Sequence, residues 1–161
     1  MGEALKEAGI ALDHGEVPVG AVIVHNSRII ARAHNQVELL KDPSAHAEMI
    51  AITQAAEYLE NWRLTDTILY VTLECCPMCV GAIMLARIKR VCYGAPDFKM
   101  GSLRSLIDLP AEIKWDHTLE VTPGIRAEEC SQFLKEFFDQ IRNGEKQKTI
   151  KPSKPPQGVM E

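Results

Sequence analysis

The chain has 161 residues, 46% of them hydrophobic and 25% charged, with a net charge of −4 at neutral pH. That balance suits one globular domain with a real core, and the absence of a long basic face confines any polynucleotide contact to a local patch. The longest apolar run is too short to span a membrane, and the acid-bearing N-terminus lacks the basic start and cleavage site of a signal peptide, so the cytoplasm is the expected compartment.

Glu3 to His14 is predicted to be an amphipathic helix with Leu5, Ala8, Ile10 and Leu12 on its apolar side, ended by Gly15. Residues 20–25 and 29–33 are predicted strands of a hairpin turning at Asn26-Ser27. "QVELLKDPSAH" is expected to be loop, with Asp42-Pro43-Ser44 offering both an N-cap and a proline near the start of a helix over Ala45–Leu59. "TILYVTL" (67–73) is β-branched and almost wholly apolar, which suits a central strand buried on both faces. A helix is predicted from Pro77 to about Arg87, and a strand over Arg90–Gly94. A short helix should follow between Gly101 and Leu109, and then a strand in "TLEVTPG". Ala127–Arg142 carries Cys130, Phe133, Leu134, Phe137 and Ile141 at helical spacing. The segment 143–161 is Lys- and Pro-rich with few large apolar residues, and is expected to be a disordered tail after a domain spanning 1–142. Strands alternating with helices imply a five-stranded sheet covered on both faces, parallel wherever a helix joins two strands.

Five cysteines make an odd number, and three of them (Cys75, Cys76, Cys79) fall within five positions. In a reducing compartment such a cluster binds metal or does chemistry more often than it forms disulfides. Cys76 and Cys79 are spaced C-x-x-C at the start of a helix, where the macrodipole favours thiolates. His46, expected in the first turn of another helix, supplies a third ligand. Three protein ligands leave tetrahedral zinc an open position, the arrangement of a catalytic centre. Glu48 is badly spaced from His46 to be a fourth ligand, yet could reach a metal-bound water and move protons. A redox pair or half a structural zinc site are the competing readings of the C-x-x-C alone. Cys75 is the surplus thiol and reads as a small buried hydrophobe, and Cys92 and Cys130 read as core.

H-x-E followed by P-C-x-x-C is the signature of zinc nucleobase deaminases. Here it reads His46-Ala47-Glu48 and Cys75-Cys76-Pro77-Met78-Cys79, with Cys75 in place of the proline. Together with "GEVPVGAVIV", "AHN", "LYVTLECCPMCVGAI", "RIKRVCYGAPDFKMGS" and "FLKEFF", the chain resembles the bacterial tRNA-specific adenosine deaminases over about residues 3–142. That resemblance implies a cytidine deaminase-like, three-layer α/β/α fold and conversion of a wobble adenosine to inosine. It implies one zinc ion per subunit on His46, Cys76 and Cys79, with Glu48 carrying protons between the metal-bound water and the leaving ammonia. It places Asn35 on the base, Val17 and Pro18 in the pocket wall, Asp97 and Lys99 on the ribose and phosphates of neighbouring nucleotides, and Phe138 and Arg142 near the anticodon loop. The implied partners are a tRNA anticodon stem-loop and a second copy of the chain, with no membrane. A deaminase of free bases or nucleosides, guanine or cytosine, shares the zinc core and is the alternative. A zinc module that only binds is a third reading, against which Glu48 speaks. Arg87, Lys89 and Arg90 form a short basic cluster, or merely a solvated helix end. Arg104 departs from the glycines expected after the lysine.

Overall fold

The computed structural model describes residues 1–144. The expected tail therefore lies, from residue 145 on, outside the described residues. Five strands form one mixed sheet in the order β2-β1-β3-β4-β5. β1 (Gly20–His25) and β2 (Arg28–His34) make the predicted hairpin, and β3 (Thr67–Leu73) lies antiparallel to β1 at the centre. β4 (Arg90–Ala95) and β5 (Glu120–Thr122) continue parallel to β3. The hairpin turns through Asn26 and Ser27, both with positive φ (47° and 59°), the twist that matches two right-handed strands.

Helices cover both faces, as a sheet with two apolar sides requires. On one face lie α1 (Gly2–Asp13) and α6 (Ala127–Arg142), with Leu5, Cys130 and Phe133 in a small core against Ala95. A Cβ on Gly20 would stand 2.0 Å from the carbonyl of Ala4, so α1 sits backbone-close on β1. On the other face α3 (Ala47–Tyr58) packs on the hairpin through Ala47, Ala51 and Ala55. α4 (Pro77–Leu85) packs beside it, adding Val80, Ile83 and Met84 to the main core.

Three predicted segments differ. The loop after β2 contains one helical turn, α2 (Val37–Leu40), whose amides at Glu38 and Leu39 are taken by the distant carboxylate of Glu16. α3 starts at Ala47, because Asp42 spends its carboxylate on the Ser44 amide and hydroxyl and so closes a turn instead of capping the helix. No helix runs through 101–109. The amides of Leu103, Arg104 and Ser105 donate to Glu74 rather than to helical carbonyls. Only a single turn, α5 (Leu109–Glu112), follows, N-capped by Asp108.

A candidate metal centre and the cavity above it

β3 and β4 end at the same edge of the sheet, and the chemistry-bearing residues gather there. After Leu73 the chain crosses Glu74 and Cys75 and enters α4 through Cys76. Pro77 at the first helical position has no amide to waste and holds Cys76 extended (φ −75°, ψ 170°) as the N-cap. His46 is likewise the extended N-cap of α3, not a residue of its first turn (φ −70°, ψ 150°). Neither side chain caps its own helix. Both turn to each other, and Cys79, one turn into α4, joins them.

The Nδ1 of His46 lies 3.7 Å from Cys76 Sγ and 3.6 Å from Cys79 Sγ. All three ligand atoms lie within 4.8 Å of one another. A tetrahedral zinc ion with Zn–N of about 2.0–2.1 Å and Zn–S of about 2.3 Å has N···S edges of about 3.6 Å. The triad therefore fits such an ion in both donor chemistry and spacing. The site also lies at the positive ends of two helices, which favours thiolates and any further anionic oxygen. The Cys76 thiol is pulled down to about 4, by its hydrogen bond from Cys79 first and by His46 beside it. Cys79 is the proton-holding partner, raised by that same bond and by burial. The contact with Cys76 in turn raises the His46 imidazole above its usual range.

A cavity of about 300 Å³ reaches His46, Cys76 and Glu48. Glu48, at the second position of α3, is 4% exposed, and burial raises its carboxyl above the ordinary range. Asn35 and Val17 line the same cavity, with Val19 in addition, whereas Pro18 is buried and does not line it. Asp97 lines it from the opposite loop, where one carboxylate oxygen accepts from the amides of Lys99 and Met100.

Lys99 turns to the other side of that loop. There it lines a second depression of about 530 Å³ with Phe138, Arg142 and Lys135, so the loop 96–100 is a wall shared by the two hollows. Phe138 is half exposed, while Phe137 is buried in the core as its spacing implied. Arg142 pairs with Asp139. Cys75 is buried, as expected of the surplus thiol, and Cys92 and Cys130 are buried as their apolar contexts imply. Arg87 and Lys89 sit at the start of β4, the end of the sheet away from the cavity, and Arg90 is paired with Glu120. Of that cluster only Lys89 is exposed, and Arg87 and Arg90 are partly buried. Arg104 reaches toward the Val121 carbonyl and away from the cavity.

Two buried glutamates escaped the sequence reading. Glu16 is 1% exposed and Glu74 2% exposed, and each accepts several amides from the walls of the cavity. Their partners are 19 to 31 residues away, so no local spacing marks them.

A family model described as MafB19-like deaminase matches residues 1–142. The chain is 48% identical over 146 residues to a tRNA-specific adenosine deaminase of Bacillus subtilis, covering 91% of each chain. It superposes with a TM-score of 0.81 on a solved structure at 42% identity, covering 83% of this chain and 97% of the other; that structure comes from work on A-to-I editing by tRNA:A34 deaminases at the wobble position. A guanine deaminase of Bacillus subtilis matches at 34% identity with a TM-score of 0.58, covering 88% of this chain and 90% of the other.

Proposed function

This chain belongs to the MafB19-like deaminase family, and we infer that it deaminates adenosine hydrolytically to inosine at the wobble position of a tRNA anticodon loop. The observation that carries this reading is the shared wall. A nucleobase-sized cavity over the His46-Cys76-Cys79 triad opens beside a hollow lined by Lys99, Lys135, Arg142 and Phe138. An enzyme for free bases needs the first hollow only. One that takes a base out of a strand must also hold the flanking nucleotides, by charge and by stacking.

His46, Cys76 and Cys79 would hold one zinc ion. When bound, zinc acts as a Lewis acid and brings the pKa of a coordinated water to about 7. Glu48 is the acid and base. Its carboxylate accepts the proton of the attacking water and returns protons to the base, so that adenosine and water give inosine and ammonia. Burial suits it to that work, because a carboxyl raised above its usual range is a stronger proton acceptor than a solvated one. Asn35 hydrogen-bonds the base, Val17 packs on it and Pro18 backs that wall. Asp97 and Lys99 meet the sugar and phosphates next to it, and Phe138 and Arg142 meet the loop beyond.

Cytoplasmic residence and a homodimer complete the reading. Among the described residues no helix is long and apolar enough to cross a membrane. Leu85, Leu106 and Ile113 are 65%, 60% and 44% exposed, apolar surface that a second copy would cover.

The test is inosine formation on an anticodon stem-loop, run beside free guanine, cytosine and adenosine, with and without a chelator. Stem-loop turnover that chelation abolishes and zinc restores is expected. Turnover of free guanine with none of the stem-loop would replace this reading with that of the 34%-identical relative.

A further inference from the structure

We propose that Glu16 is a positioning residue for base recognition, fixing which face of the Asn35 side-chain amide the cavity presents. The proposal rests on the reading of Asn35 as the residue that meets the base. Glu16 follows α1 and is almost completely buried. Its Oε2 accepts from Asn35 Nδ2 at 3.0 Å and from the Glu38 amide at 3.2 Å, and its Oε1 accepts from the Leu39 amide at 2.7 Å. A carboxylate that takes three N–H groups can only accept. The amide of Asn35 must therefore turn its nitrogen to Glu16, and the oxygen and nitrogen cannot exchange places.

The backbone of Asn35 is held too, since its amide donates to the Val19 carbonyl at 3.0 Å. Among the described residues Oδ1 accepts no hydrogen bond. Yet among the described residues the only sealed side-chain polar atom without a partner is Trp115 Nε1. Oδ1 therefore opens on the cavity that Asn35 lines. The group that meets it on a bound nucleoside must donate, as an amino or hydroxyl group does.

Glutamine at position 16 has the same shape and only one acceptor. It can satisfy Leu39 or the Asn35 side, not both. With its NH2 toward Asn35, the Asn35 amide flips, takes that N–H on Oδ1 and shows nitrogen to the cavity. The polarity of the wall is then reversed at one point, with the volume unchanged.

The test uses the full-length, zinc-loaded protein in four forms: wild type, Glu16→Gln, Asn35→Ala and the double variant. kcat/KM is measured on the stem-loop, and the side-chain amide signals of Asn35 are followed by 15N NMR. We expect Glu16→Gln to lower kcat/KM by about 10- to 100-fold, the effect of one misdirected buried hydrogen bond. The double variant should fall within about twofold of Asn35→Ala, because Glu16 acts through Asn35. Losses that multiply would overturn the proposal and reduce Glu16 to a wall support. The NMR arm is independent of activity. One Asn35 side-chain proton protected in the wild type and unprotected in Glu16→Gln supports the proposal, and its absence from the wild type overturns it. A wild type that makes no inosine in the stem-loop counts against the proposed function, while the NMR arm still decides the positioning role. If Glu16→Gln does not fold, Glu16→Asp, which keeps the carboxylate on a shorter arm, enters the same cycle.

Discussion

Replacing Glu74 by glutamine removes one acceptor and a charge from a site with four amide donors. Oε1 accepts from Leu103, Arg104 and Ser105 at 3.1, 2.7 and 2.9 Å, and Oε2 from Asp97 at 3.2 Å. The least damaging placement of a glutamine keeps its oxygen on the three and turns its NH2 toward Asp97. One charge-assisted bond is then lost outright, at about 1–3 kcal/mol, and three fall to neutral strength, at about 0.5–1 kcal/mol each. The sum is about 2.5–6 kcal/mol. With an unfolding entropy of about 0.3 kcal/mol/K for a chain of this size, Tm should drop by about 8–20 °C at pH 7, read by calorimetry. The pH dependence has a definite sign. Burial alone would raise the Glu74 carboxyl, but the bonds from Ser105, Arg104 and Asp97 hold it below its ordinary value of 4.5. Its contribution is therefore full above that value and is lost as pH falls through the lower, native one. The gap in Tm between wild type and Glu74→Gln should be widest near neutrality and close in acid. A Tm within about 2 °C of wild type at pH 7, or a gap that does not narrow as pH falls below 4.5, would refute this account of the loop.

Glu48→Ala should retain one metal per chain by elemental analysis and lose at least about 10³-fold in kcat, since both proton movements are assigned to that side chain. Equal loss of metal would make Glu48 part of the binding site instead. Lys99→Ala should raise KM for the stem-loop several-fold, leave kcat nearly unchanged and reduce the salt dependence of KM by about one ion. An unaltered salt slope would remove Lys99 from the RNA contacts. Gly101→Ala should cost about 1–3 kcal/mol by denaturant titration. Its Cβ would fall 2.3 Å from the Asp97 carbonyl and 2.6 Å from the Glu74 carboxylate. An alanine tolerated without loss would mean that the loop yields there.

The sequence carried the elements whose signal is periodic or local. The apolar β3 and the amphipathic α6 fall where spacing put them, and the C-x-x-C found its histidine because each ligand sits at a helix start that proline or turn chemistry marks. What sequence reasoning missed is held by long-range acceptors. α2 exists because Glu16 reaches across from the end of α1, and the segment after Gly101 is not helical because Glu74 draws its amides away. A glutamate between apolar stretches carries no mark of which amides it will collect. The same limit applied to the first turn of α3. Helical spacing sets His46 and Glu48 on different faces, yet His46 lies just outside the helix with an extended backbone, and this is what frees its ring to face the two sulfurs.

The burial of the thiols has a practical consequence. Cys75, Cys79, Cys92 and Cys130 are buried, and the half-buried Cys76 faces His46. Lys89 is exposed at the start of β4, the end of the sheet remote from the cavity. A Lys89→Cys variant would thus offer maleimide reagents one outward thiol. The molecule could be tethered or carry a fluorophore there with its mouth unobstructed.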